Sequence, residues 1–156
     1  MLLRRLGGPE VLEVAEVPDP VPGARELLVR VEATSINRRD LLMRAGHPHP
    51  AYRVPLPGIL GLDLCGHVVD AGSEVEGFGT GDRITVNPYM PCGRCAYCRV
   101  ERSQTREDAL ACIQHLDSGR LQPLVAETLV LEQVAKGHRM LQGGEVAGKV
   151  VVRVAG

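Results

Sequence analysis

Seven residues carry the plainest chemical signal in this chain: Cys92-Gly93-Arg94-Cys95-Ala96-Tyr97-Cys98. Three thiols at two-residue gaps can turn inward around one ion, as in structural zinc sites. A closed tetrahedral site needs four ligands, and the stretch supplies three. Two other cysteines exist, Cys65 and Cys112. Cys112 falls on the apolar stripe of an expected helix, where a buried packing role is the simpler reading. Three arrangements stay open: three thiolates completed by water, histidine or a second copy; a site completed by Cys112; or no metal.

Other residue types offer less. Cys65 and His67 stand two apart on an expected strand and so share a face, where packing is the simpler role. His47 and His49 sit in a proline-rich loop. His138 falls on the inward stripe of an expected helix, where a hydrogen-bonded structural histidine is expected.

The chain has 156 residues, 44% hydrophobic and 24% charged, enough for one globular domain with a real core. Its formal net charge of -1 gives no bulk attraction to nucleic acid or anionic membrane. Lys136 and Lys149 are its only lysines, so arginine supplies most of the positive charge. No apolar run approaches the ~20 residues of a membrane helix, and no export signal is visible. An odd cysteine count without such a signal favours metal ligation in a reducing cytoplasm over a disulfide framework.

The elements that would position these residues begin as strands. Val11–Val17 and Leu27–Ile36 alternate, the second most clearly, with Val29, Val31 and Ala33 on one face. Asn37–Arg44 reads as a short helix stopped by Gly46, with Leu41 and Leu42 facing inward. Residues 47–57 are loop. Ile59–Ala71 is a β-prone run broken by glycines, and a turn over 77–82 leads into a strand over 83–87. Then the texture changes. Thr105–Leu116 is helical, with Ala109, Cys112, Ile113 and Leu116 on one face. Leu124–Leu129 suits a strand, Leu131–Leu141 a helix, and Gly148–Val154 a last strand. Strands with glycine and proline punctuation, followed by helix, strand, helix and strand, make a mainly β chain with helices (α+β).

The ordered motifs resemble one family. Gly8-Pro9-Glu10-Val11-Leu12, Pro18-x-Pro20 and Leu28-Val29-Arg30-Val31-x-Ala33 are similar to the opening of the medium-chain dehydrogenase/reductase superfamily. Ser35-Ile36-Asn37-Arg38-Arg39-Asp40 with Arg44-x-Gly46 resembles its quinone-oxidoreductase-like branch. Leu60-Gly61-Leu62-Asp63-x-x-Gly66 and Gly81-Asp82 continue the match. The cysteine stretch resembles the structural-zinc lobe of zinc-containing members. Ser118-Gly119-Arg120-Leu121-Gln122-Pro123 and Gly148-Lys149-Val150-Val151 resemble the C-terminal segment.

The resemblance implies a GroES-like, partly open β-barrel, built from the family's N-terminal part (about 1–99) and C-terminal part (about 103–156). Family members are about twice as long and carry a Rossmann domain for NAD or NADP between those parts. No Gly-x-Gly-x-x-Gly follows a strand and opens a helix here. The internal domain is expected to be absent, with the junction near Arg99–Ser103, and NAD(P) is not expected to bind. Zinc dehydrogenases place a catalytic cysteine where this chain has Asn37 and a histidine where it has Leu62, so catalytic zinc does not carry over. Asn37, Asp40 and Asp63 are the catalytic candidates by resemblance. Their simpler roles are a helix cap for Asn37 and a bend or supporting acid for Asp63. The family's fourth zinc-lobe cysteine falls where this chain has Arg106.

Two functions follow. One is the substrate domain of a zinc-binding, quinone-oxidoreductase-like alcohol dehydrogenase, ancestrally reducing carbonyls or quinones with NAD(P)H and not competent alone. The other is a noncatalytic GroES-like scaffold or a deletion product. Either would expose the surface that faced the missing domain, so a homo-oligomer is expected.

Overall fold

The computed structural model describes residues 1–86, 88 and 95–154, and of residues 97–106 the backbone alone. The described chain forms two compact units, Met1–Val86 with Val125–Gly156, and Asn87–Leu124.

In the first unit, β1 (Leu2–Leu3), β2 (Leu12–Glu13) and β4 (Gly58–Ile59) make a small sheet in the order β2-β1-β4. The larger sheet contains β3 (Leu27–Ile36), β5 (Cys65–Ala71), β6 (Arg83–Thr85), β7 (Val125–Val130) and β8 (Lys149–Arg153). Its order is β6-β5-β3-β8-β7, with every pair antiparallel except β7 with β8. The fold is mixed α+β and GroES-like, and its larger sheet is open.

β3 spans the stretch its alternation predicts. The expected strand over Val11–Val17 survives only at Leu12–Glu13, because a 3-10 turn at Pro9–Val11 precedes it and Pro18 follows closely. β8 runs Lys149-Val150-Val151-Val152-Arg153, with Val150 and Val152 fully buried. It lies between β3 and β7, so both its edges are paired, and alternate residues bury Val150 and Val152 while Lys149 and Arg153 stay exposed.

α1 (Arg38–Ala45) ends at Gly46, whose φ of 78° is the left-handed cap that glycine adopts without strain. Leu41 turns inward as expected, but Arg44 is buried as well, at 2% exposure. Its Nη1 donates to the Gly7 carbonyl at 2.7 Å and its Nη2 to Gln142 Oε1 at 3.1 Å. α3 (Val134–Gly143) follows a 3-10 turn at Leu131–Gln133, and it buries Val134, Gly137 and His138. The core gathers Leu3, Val11, Leu12, Ile36, Leu41, Leu129, Val134, Val150 and Val152 from both chain segments.

The second unit is dominated by α2 (Ala96–Asp117). Its sequence contains neither glycine nor proline, so nothing interrupts it. It starts nine residues before the expected Thr105, and the expected junction at 99–103 lies inside one continuous helix. Gly119 ends it, donating its N–H to the Leu116 carbonyl at 3.0 Å. The apolar stripe does not face a core: residues 107–125 are all exposed. Cys112 is therefore exposed rather than buried.

Candidate functional site

Sheet register assembles the site. Ala33 pairs with Cys65 and Ile36 with Val150, both antiparallel. Continuing two residues past the first pair sets Ser35 against Asp63. Continuing one past the second sets Asn37 against Lys149. Four side chains from three distant segments thus meet at one end of the sheet.

Asp63 Oδ2 is their hub. It accepts from Ser35 Oγ, from Asn37 Nδ2 at 2.8 Å and from Lys149 Nζ at 3.0 Å. Thr34 Oγ1 donates to the Asp63 carbonyl. The Lys149 ammonium also donates to Asn37 Oδ1 at 2.7 Å and to Ser35 Oγ at 3.2 Å. Burial alone would raise the Asp63 pKa. Hydrogen bonds from Ser35, Asn37 and Lys149, with the lysine charge, outweigh it and hold the carboxyl below the usual carboxylate value.

Asn37 sits at the N-cap of α1, yet its side-chain amide reaches Asp63 and Lys149. Asp40 makes no hydrogen bond to Asp63 or Lys149, although it lines the same pocket as Ser35 and Asp63. Its Oδ2 accepts from the Asn37 N–H at 2.8 Å, and the side chain is only 2% exposed. Burial is the main influence on its pKa, which is raised. Asn37 and Asp63 are therefore bonded to each other, and the buried Asp40 carboxylate adjoins them through the Asn37 N–H. Lys149 joins them and was not singled out for chemistry by sequence. Its scarcity in an arginine-rich chain is the one hint, and the other lysine, Lys136, pairs with Glu127.

The site does not suit a catalytic zinc. Leu62 offers no ligand atom, and an ammonium already contacts the three oxygens that a metal would use. The expected metal set fares unevenly. Cys92 lies outside the described residues, as does the Cys98 side chain. Cys95 is exposed just before α2. Cys112 stands fourteen positions beyond Cys98 on the same helix, about 21 Å along its axis at ~1.5 Å per residue. One ion cannot bind both within one chain, so Cys112 is excluded as the fourth ligand of that set. Among the described residues no cluster of three or more His, Cys, Asp and Glu side chains could hold a metal.

The described strand-to-helix junctions, β3 to α1 and β7 to α3, contain no glycine. At the N-cap of α1 the Asn37 N–H is taken by the Asp40 carboxylate.

The remaining sequence candidates have local roles. His67 Nδ1 lies 3.2 Å from Glu32 Oε1, and Cys65 is half-buried. His47 and His49 are exposed, each accepting a backbone N–H two residues on. His138 is buried at 3% exposure, but its Nδ1 has no hydrogen-bond partner among the described residues, contrary to expectation. Burial, then the nearby Arg44 charge, lowers its pKa to about 4, so the ring is neutral near pH 7.

The fold and sequence place the chain in a known class. Residues 23–135 match the alcohol dehydrogenase GroES-like domain. The chain belongs to that family, the catalytic domain of medium-chain dehydrogenase/reductase enzymes. It is 31% identical over 125 residues to an acryloyl-coenzyme A reductase of Sulfurisphaera tokodaii, covering 80% of this chain and 36% of that protein. The crystal structure of an NAD-dependent alcohol dehydrogenase superposes with a TM-score of 0.88 at 19% identity, covering 99% of each chain. The quinone oxidoreductase from Coxiella burnetii superposes with a TM-score of 0.81 at 13% identity, covering 99% of this chain and 98% of that one. At these identities the structures establish the fold alone. The chain spans about a third of the length of the curated relatives it matches, 36% and 30% for two of them. Among the described residues, no helix is long and apolar enough to cross a membrane.

Proposed function

We propose that this chain is the carbonyl-binding half of a quinone-oxidoreductase-like alcohol dehydrogenase, zinc-free at its reacting centre and unable to transfer hydride alone. One observation carries the reading: an ammonium, Lys149, bound to Asn37, Ser35 and Asp63 where zinc relatives hold their metal. A carbonyl oxygen replacing Ser35, the most distant acceptor, would receive a charge-assisted N–H bond. Negative charge growing on that oxygen during reduction would be stabilised there. Asp63 keeps the ammonium in place, and Asn37 fixes it from the other side. Hydride must come from a nicotinamide bound elsewhere, because the family's Rossmann domain has no counterpart in this sequence. The placement of segments 1–86 and 125–156 in one unit supports an internal domain absent between them.

Two titrations test this. Cyclohexanone should perturb the NMR signals of Asn37 Nδ2 and the Lys149 side chain, and Lys149→Met should abolish the effect. NADPH should show no binding tighter than about 1 mM and no turnover with benzoquinone. Cyclohexanone shifts elsewhere would overturn the carbonyl assignment. Sub-millimolar NADPH binding would overturn the half-site assignment.

The cysteines belong to the same proposal. Cys92, Cys95 and Cys98 hold one structural zinc, completed by a ligand other than Cys112. Three thiolates bind more weakly than four, so this zinc is expected to be removable.

A second reading, self-association as a scaffold, is favoured by α2. Ala109, Cys112, Ile113 and Leu116 form a stripe with no cover, Ile113 and Leu116 being 43% and 42% exposed. A second copy of the same helix would cover it. Light scattering should report a dimer or larger species that Ile113→Asp dissociates. A monomeric mass for the unaltered chain would eliminate this reading.

A further inference from the structure

Strand pairing lays a row of basic side chains across one face of the larger sheet. Arg30 of β3 stands opposite His67 of β5, and His67 stands opposite Arg83 of β6. Directly opposed residues point to the same face. Val68, the neighbour of His67, is fully buried, so the row lies on the outer face. In the adjoining row, Ala33 stands between Arg153 of β8 and Cys65 of β5. Three arginines thus rim a floor whose middle carries the short side chains of Ala33 and Cys65. Arg30, Arg83 and Arg153 are exposed, and the guanidinium of each has no partner among the described residues. The acid among them, Glu32, sits at the β3 bulge with its Oε1 3.2 Å from His67 Nδ1. Neither Arg30 nor Arg83 therefore adds an opposite-charge pair to the sheet.

We propose that this face binds a small phosphomonoester, its phosphate held over His67 between Arg30 and Arg83. Two strand spacings, ~9.6 Å, separate the two arginines, and each flexible stem can bring its guanidinium inward over the strand between them. An arginine fork matches two oxygens of a phosphate. A carboxylate has two oxygens and satisfies one fork, whereas a phosphate has three and can meet both forks and the ring. Glu32 engages Nδ1 of His67 and leaves Nε2 for the ligand. That nitrogen accepts from a protonated phosphate oxygen or, on a protonated ring, donates to a bare one. The floor of short side chains gives room for a compact organic group, and the donors around it suit one bearing hydroxyls. None of these side chains hydrogen-bonds to Lys149 or Asp63, so binding here is separate from the proposed carbonyl chemistry.

Glycerol 3-phosphate titrated into the full chain at fixed ionic strength, followed by NMR of the His67 ring, tests the proposal. A saturable shift with a Kd of about 1–10 mM is expected for an exposed site of this size. Arg30→Gln and Arg83→Gln should each weaken binding about fivefold, the upper end for an exposed charge pair. Glu32→Gln removes the one repelling charge and should tighten it. Arg139→Gln, at an exposed position on α3, should leave it unchanged. Melting curves report that each variant is folded, and if one arginine variant does not fold the other decides. No saturable change at His67, or equal weakening by Arg139→Gln, overturns the proposal. So does a phosphoserine peptide that binds more than about tenfold tighter than glycerol 3-phosphate, which would make this a protein-docking face.

Discussion

Replacing Lys149 with methionine removes the ammonium and keeps most of the aliphatic stem. Three contacts are lost: Asp63 at 3.0 Å, Asn37 at 2.7 Å and Ser35 at 3.2 Å. Their number suggests a large destabilisation, but their setting does not. The side chains of Lys149 and Asp63 are 52% and 37% exposed, so water screens the pair. Pairs in that setting contribute about 0.2–1 kcal/mol. Lys149→Met is expected to lower unfolding free energy by no more than about 1 kcal/mol, read from the urea midpoint at unchanged slope. The second readout is the Asp63 carboxyl by 13C NMR. Burial still raises its pKa, while the lysine hydrogen bond and charge no longer oppose it, leaving Ser35 and Asn37. The pKa therefore rises. A depressed carboxyl stabilises the fold above its unfolded value and loses that contribution as pH falls through its folded value. The difference between Lys149→Met and the unaltered chain should thus be fully present at pH 7 and fade in strong acid. A loss above about 2 kcal/mol, or an unmoved Asp63 pKa, would refute the view of Lys149 as a near-surface charge held for function.

Gly137→Ala should destabilise the fold although it removes a helix glycine. A Cβ there would stand 2.4 Å from Ile36 Cδ1 and 2.9 Å from Leu129 Cδ1, both in the core. Overpacking of about 1–3 kcal/mol exceeds the ~1 kcal/mol gain in propensity, and thermal melting would show which wins. His138 predicts a loss of stability in mild acid. Its pKa is about 4 when folded and about 6.5 when unfolded. The unfolded chain therefore binds the proton first, and stability falls from near pH 6.5 towards pH 4 by up to about 3 kcal/mol. Melting temperatures across that range should fall, and His138→Phe should flatten the slope between pH 6.5 and 5. Purified protein should carry about one zinc per chain, lost on treatment with a strong chelator. Metal analysis showing less than roughly a tenth of an equivalent would remove the structural-zinc proposal.

Local patterns made much of this fold legible. β3 alternates over ten residues and is flanked by proline and a helix start, so its bounds are readable. Gly46 and Gly144 mark helix ends because a left-handed cap has a residue signature. The two-residue strand β1 has no period to read, and it exists through pairing with Leu12–Glu13 and Gly58–Ile59. α2 begins at Ala96 rather than Thr105 because residues 96–104 also lack glycine and proline, although no apolar period marks them as helix. The site was half legible. Asn37 and Asp63 stand in recognisable motifs. Lys149 lies 112 residues from Asn37, and only the register of β8 against β3 brings them together. The orphaned atom of His138 is likewise invisible to pattern, since it depends on which neighbours fail to arrive.

The strand order carries one more consequence. Residue 86 leaves the first unit just after β6 and residue 125 re-enters at β7, on opposite edges of the five-stranded sheet. Four strand spacings of ~4.8 Å separate those edges, so any connecting segment must bridge about 19 Å. Beyond that minimum, length matters little. Chain-closure entropy grows only as the logarithm of loop length, and a fivefold longer insert would cost about 1.4 kcal/mol more. The first unit is therefore nearly indifferent to what its connector contains. A whole domain can be lost from or restored to that position in evolution while the sheet, and the residues it aligns, stay folded.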